Sequence, residues 1–110
     1  MNYHKFDIVV SDFHFIEDVK FSKIRPAVIV SSDDYNKKTG FVVLAMITSA
    51  RHSVLWQDLE ISDYENTDLK PTSVIRMKFS NCTQSKILQK IGKLSQKDQK
   101  NLTKKLKNIF

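Results

Sequence analysis

A mostly β domain with one closing helix is what these 110 residues predict. Three observations point there. Runs rich in branched and aromatic residues recur at 6–13, 26–31, 41–48 and 73–79, the composition that suits a pleated, half-buried strand. Only the last segment changes period: Leu102, Leu106 and Ile109 recur at spacings of four and three, the apolar stripe of a helix. No repeat, linker or low-complexity tract interrupts the chain, and its length suits one domain.

Taken in order, Phe6 to Phe13 reads as the first strand, although its alternation is imperfect. Residues 14–24 mix Glu17, Asp18, Lys20 and Lys23 with isolated apolar positions and read as a loop or extended arm, long enough to suggest a function. Pro26 lacks a ladder donor, which places it at the start of the second strand, 26–31. Standing before a proline also biases Arg25 toward extended backbone. Ser32 to Gly40 is a polar turn region, with Gly40 free to take positive φ. Phe41 to Thr48 is nearly continuous apolar sequence, the best candidate for a central strand.

His52 to Ile61 resembles a further strand containing Trp56. A polar link through Asp63, Glu65, Asn66, Asp68 and Pro71 leads to the strand at 73–79. One helical turn is expected around Ser85-Lys86-Ile87, followed by a short extended stretch, Ile91 to Leu94. Ser95 is placed as an N-cap, and Asp98 three positions on completes a capping box. Five or six strands and one helix describe a small, mostly antiparallel, barrel-like domain.

Composition narrows the classes. Hydrophobic content of 41%, with seven Phe and three Tyr, describes a packed domain and not a disordered tail. The single Cys82 excludes an intrachain disulfide and cannot form a metal site alone, which fits a reducing compartment. Residues 1–20 turn acidic before any apolar stretch of signal length, and no run approaches the roughly 18 apolar residues of a spanning helix. The expectation is a cytoplasmic protein with no membrane partner.

The net charge of +6 is unevenly placed: residues 86–110 hold eight lysines against Asp98 alone, while residues 1–85 hold ten basic and eleven acidic groups. That asymmetry argues for an anionic partner without specifying one. The competing reading is that Lys97, Lys100, Lys104, Lys105 and Lys107 simply solvate a terminal helix.

Two short motifs carry the chemistry. Arg25-Pro26-Ala27-Val28-Ile29-Val30-Ser31 places a guanidinium where a strand begins, and Ile47-Thr48-Ser49-Ala50 places a hydroxyl where another ends. Should those ends meet, both groups converge on a site sized for a phosphate, and in a small basic chain that phosphate belongs most naturally to a nucleic acid. Taken alone, Arg25 is as well explained by a surface pair with Glu17 or Asp18, and Thr48 by its strand propensity.

Laid side by side, these motifs and the tail resemble the PemK/MazF family of toxins from bacterial type II toxin–antitoxin systems. The resemblance runs from Phe6-Asp7-Ile8-Val9 and Asp12-Phe13-His14-Phe15, through the two motifs above, to Leu69-Lys70-Pro71-Thr72-Ser73-Val74-Ile75-Arg76 and Lys90-Ile91-Gly92-Lys93-Leu94-Ser95. It implies an SH3-like barrel with a C-terminal helix, assembled as a homodimer. It also implies metal-independent, sequence-selective cleavage of single-stranded RNA, no cofactor, and a small antitoxin as protein partner. The family's catalytic arginine and threonine carry over to Arg25 and Thr48.

Metal-free cleavage uses the neighbouring 2′-hydroxyl as nucleophile, which also restricts the substrate to RNA. Arg25 suits the phosphate clamp, because its planar fork donates two bonds to phosphate oxygens, and Thr48 adds a third donor. His14, Glu17 and His52 are the acid–base candidates. Arg51 is the expected phosphate contact beside Thr48, Trp56 an expected base stacker, and Lys20, Lys23 and Lys78 complete the RNA-contacting set. Two departures stand out: Lys20 falls near the register of a family glutamate, and Ser80 replaces a basic residue. They keep two alternatives open, a catalytically silent member that binds nucleic acid or antitoxin, and a gyrase-directed toxin of similar fold.

Overall fold

The first and last strands of the chain lie side by side in a computed structural model, which describes residues 3–13, 23–49 and 58–110. The elements are β1 (Asp7–Phe13), β2 (Lys23–Ile29), α1 (Asp33–Thr39), β3 (Phe41–Ser49), β4 (Leu59–Glu60), β5 (Ser73–Thr83), β6 (Ile87–Lys93) and α2 (Gln96–Ile109). All strand pairs are antiparallel, in the order β4-β5-β3-β2-β1-β6.

Burial on both faces explains the sequence pattern of the central strands. Val9, Ala27, Ile29, Val42, Leu44 and Met46 point into one apolar cluster with Cys82 and Ile87. Their neighbours Ile8, Val28, Ala45 and Ile47 point into a second with Ile61, Ile75, Leu94 and Leu102. A strand covered on both sides reads as a continuous apolar run, which is why β3 shows no alternation and β1 only a faint one. The helix stripe packs on this same domain: Leu102 is fully buried in the second cluster and Leu106 lies against it.

The sheet is barrel-like but not closed by strand pairing, since β4 and β6 are its edges. The connection after β4 spans that gap. Thr67 bridges Gly92, the Lys93 N–H donates to the Asn66 carbonyl (3.1 Å) and the Asp68 N–H to the Ile91 carbonyl (3.1 Å). This approach needs a residue without a side chain: a Cβ on Gly92 would stand 2.3 Å from the Asn66 oxygen and 2.7 Å from the Thr67 Cα.

Ser95 caps α2 as expected, its hydroxyl accepting the Asp98 N–H at 3.2 Å. The Asp98 carboxylate, fully buried, turns outward from the helix instead of back to the Ser95 amide. It accepts from Ser62 N (3.1 Å), Ser62 Oγ (2.7 Å), Asp63 N (3.1 Å) and Ser95 Oγ (3.3 Å). The helix start is thereby tied to the segment that closes the sheet.

Other boundaries differ from the sequence reading. Residues 33–39 form a helix, not a turn, capped by the Ser32 hydroxyl on Tyr35 N and ended by Gly40 at φ 74°. Strand β2 begins three residues early, at Lys23, so Pro26 lies inside it, opposite Val10. Strand β5 continues to Thr83, and the expected turn is a 3₁₀ helix over Gln84–Lys86. Of the strand expected at 52–61, the described part shows only Leu59–Glu60. Among the described residues, no helix is long and apolar enough to cross a membrane.

Candidate active site

The ladder between β2 and β3 ends at Ala27–Met46, although each strand continues. Beyond that point, among the described residues, β2 pairs with β1 alone, through Pro26, Arg25, Ile24 and Lys23, and β3 with β5 alone, through Ile47, Thr48 and Ser49. Pro26, with no N–H to give, sits at the end of the interrupted ladder. The two strands therefore fork. Continuing their register two steps past Ala27–Met46 sets Arg25 opposite Thr48.

A cleft of about 870 Å³ opens at this fork. Arg25, Pro26, Ile47, Thr48 and Ser49 line it from the forking strands, Val10 and Ile91 from β1 and β6, and the loop from Asp68 to Ser73 forms a further wall. Arg25 and Thr48 are both half-buried there, the condition under which hydrogen bonds to a phosphate gain strength without losing access.

The wall is held by its own hydrogen bonds. The Tyr64 hydroxyl accepts Ser73 N–H at 2.7 Å and lies 3.4 Å from the Ser73 carbonyl, to which it donates. Ser73 Oγ donates to the Lys70 carbonyl (2.6 Å), and Thr67 Oγ1 to the Tyr64 carbonyl (2.8 Å). A loop fixed in this way presents Asp68, Lys70 and Thr72 to the cleft as a preorganised surface. Below it, Arg76 grips Asp58 with Nε and Nη2 at 3.3 and 3.0 Å in a buried bidentate pair, anchoring the entry to β4.

The sequence-predicted residues separate into three groups. Arg25 and Thr48 line the cleft together. Lys78 is exposed on β5 and does not line it, and Lys23 opens β2 opposite Phe13. His14, Glu17, Lys20, Arg51, His52 and Trp56 lie outside the described residues. Sequence reasoning missed Asp68, Lys70 and Thr72 as cleft residues, because contacts distant in sequence, the Gly92 approach and the Tyr64–Ser73 hydrogen bonds among them, set their loop in place.

Phe79 is half-buried and tilts against the Phe110 ring at 5.4 Å, whereas Phe41, at the start of the apolar run of β3, is 40% exposed. Burial pushes the Cys82 thiol above its ordinary pKa, leaving it a poor nucleophile. Among the described residues, no group of three His, Cys, Asp or Glu side chains is placed to hold a metal ion.

Comparison with known proteins bears on the fold and the family. The model of the PemK-like, MazF-like toxins of type II toxin–antitoxin systems matches residues 4–110. An endoribonuclease from a mycobacterial species, solved with its cognate antitoxin, superposes with a TM-score of 0.77 at 14% identity, covering 97% of this chain and 93% of that one. MazF from Deinococcus radiodurans gives 0.73 at 17% identity, with coverage of 98% and 97%. The MazE–MazF complex of the same organism gives 0.71 at 14% identity, with coverage of 99% and 95%. At such identities the superpositions establish the shared fold. No curated protein matches the chain in sequence.

Proposed function

The chain belongs to the PemK-like, MazF-like toxin family of type II toxin–antitoxin systems, and from that premise we propose that it is an endoribonuclease cleaving single-stranded RNA. The observation that carries this reading is the convergence of Arg25 and Thr48 on one cleft at the β2–β3 fork. Similarity to proteins described as endoribonucleases supports it.

In this mechanism the RNA phosphate enters the fork. Arg25 donates two parallel hydrogen bonds to its non-bridging oxygens, and Thr48 donates a third. Negative charge grows on those oxygens as the 2′-oxygen bonds to phosphorus, so the same donors bind the transition state more strongly than the ground state. Removal of the 2′-hydroxyl proton falls to Asp68, the carboxylate that lines the cleft among the described residues. The departing 5′-oxygen takes a proton from solvent water, leaving a 2′,3′-cyclic phosphate and a 5′-hydroxyl end. Cleavage at a short preferred sequence stops translation in the cytoplasm. A cognate antitoxin and a second copy of the chain are the protein partners of this reading.

Incubating the protein with mixed-sequence RNA in EDTA and mapping the ends tests it. Cyclic phosphate termini at a recurring short sequence are expected. Intact RNA bound tightly would point instead to a catalytically silent member, and intact RNA with inhibited gyrase to a protein-directed toxin.

A further inference from the structure

Away from the cleft, α2 carries a second site of a different kind. Lys97, Lys100, Lys104 and Lys107 follow one another at spacings of three, four and three, so they form one stripe along the helix. All four are exposed, and all four line a groove of about 550 Å³ that is bounded below by Phe6. None has an acidic partner among the described residues. The one acid of the helix, Asp98, is buried and fully engaged with Ser62, Asp63 and Ser95. A further cation, Lys5, stands 5.1 Å over the Phe6 ring at the foot of the groove. A row of unneutralised like charges repels itself and gains only when an anion covers it.

The stripe fits a phosphate backbone. From Lys97 to Lys107 the helix rises about 15 Å, the length of roughly four stacked nucleotide steps at about 3.4 Å each. The other helix residues lining the groove are Gln96, Gln99, Asn101 and Thr103, polar side chains that offer no large apolar anchor of the sort a protein partner buries. β1 links the two sites: Phe6, the residue before that strand, lines the groove, and Val10, four residues on, lines the cleft. Lys93 and Lys90 stand on β6 opposite Asp7 and Val9, with their ammonium groups 3.8 and 3.2 Å from the Asp7 carboxylate.

We propose that the lysine stripe of α2 is a second RNA contact, holding the phosphates that flank the cleaved linkage without reading their bases. It rests on the endoribonuclease reading for its ligand, and it adds length-dependent affinity to that reading.

The test uses the intact protein and a Lys97→Gln, Lys100→Gln, Lys104→Gln, Lys107→Gln variant, with folding verified by circular dichroism. Each is titrated with RNA carrying a 2′-deoxy sugar at the scissile position, in a short form spanning the cleft and a long form that also reaches the stripe. For the long form, the slope of log affinity against log salt should fall in magnitude by about 2.8 in the variant, at ~0.7 per lost phosphate contact. Between 50 and 200 mM salt the native protein should therefore lose about 50-fold more affinity than the variant. The short form should bind both equally, and its ribose version should be cleaved by both at the same rate.

Equal salt slopes on the long RNA would overturn the proposal. So would a variant weakened only toward its purified antitoxin, which would make the stripe a protein contact. If neither protein cleaves the short ribose substrate yet the slopes differ, the nuclease reading fails and the stripe stands.

Discussion

Substituting Gly92 with alanine connects the closure of the sheet to the shape of the cleft. The added Cβ would meet the Asn66 oxygen at 2.3 Å and the Thr67 Cα at 2.7 Å, both backbone atoms that cannot rotate away. Reaching ordinary van der Waals separation, 3.4 Å or more, requires the 66–67 backbone to retreat by about 1 Å. That retreat strains the hydrogen bonds Lys93 N to Asn66 O and Asp68 N to Ile91 O, and overpacking of this kind costs about 1–3 kcal/mol. It also moves Asp68 and Lys70 relative to Arg25 and Thr48, and a misplacement of ~1 Å in a catalytic constellation costs about 100-fold in rate.

Gly40 supplies the control. It has φ 74°, and a Cβ added there would meet nothing within 4 Å, so Gly40→Ala should lose only the roughly 1–2 kcal/mol of a left-handed non-glycine residue. Urea unfolding and single-turnover RNA cleavage would be measured on both variants. Comparable destabilisation, with cleavage lost only in Gly92→Ala, is the expected result. Native stability and native cleavage in Gly92→Ala would refute the claim that this contact shapes the cleft.

Other perturbations test the supports. Asp98→Ala removes the acceptor of two backbone amides and two hydroxyls, and should cost about 2–4 kcal/mol in urea unfolding; a loss below about 0.5 kcal/mol would contradict its role as the tie between α2 and the 61–63 segment. Arg76→Ala leaves the buried Asp58 carboxylate without its bidentate partner and should cost about 3–5 kcal/mol by the same assay, more than the Arg76→Ala, Asp58→Ala double variant. Asp33 is held below its ordinary pKa chiefly by the hydrogen bond from Lys5 N, at 2.8 Å. Its contribution is present at neutral pH and lost as pH falls through the lowered value, so Asp33→Asn should flatten the stability curve only in acid, below about pH 4.

Local signals in the sequence are enough for some elements and not for others. Ser95 and the Leu102–Leu106 spacing locate α2, because a cap and a 3.6-residue period are both written in consecutive residues. Helix α1 carries an equally local signal in Ser32, the acids Asp33 and Asp34, the bases Lys37 and Lys38, and Gly40. Its seven residues bury only Asn36, however, so no apolar period marks it. A ladder proline is rare, which points Pro26 to a strand's start, whereas the strand runs on with one of its two ladders interrupted. That interruption is the fork, and no local pattern encodes it.

The cleft is legible only in part. Arg25 and Thr48 stand out through their motifs, but what unites them is the register of β2 on β3, a long-range pairing. Asp68, Lys70 and Thr72 reach the cleft through the Gly92 approach and the Tyr64–Ser73 hydrogen bonds, contacts between segments that the linear sequence keeps apart.

Single-turnover cleavage of one RNA by Arg25→Ala, Thr48→Ala and the double variant tests the central claim most directly. Each single change removes donors to one shared phosphate and should slow cleavage by about 100-fold or more, with the circular dichroism spectrum unchanged. Because both act on the same charge, the double variant should lose far less than the product of the two single losses. Losses that multiply in full, or a native rate in either single variant, would contradict a common site.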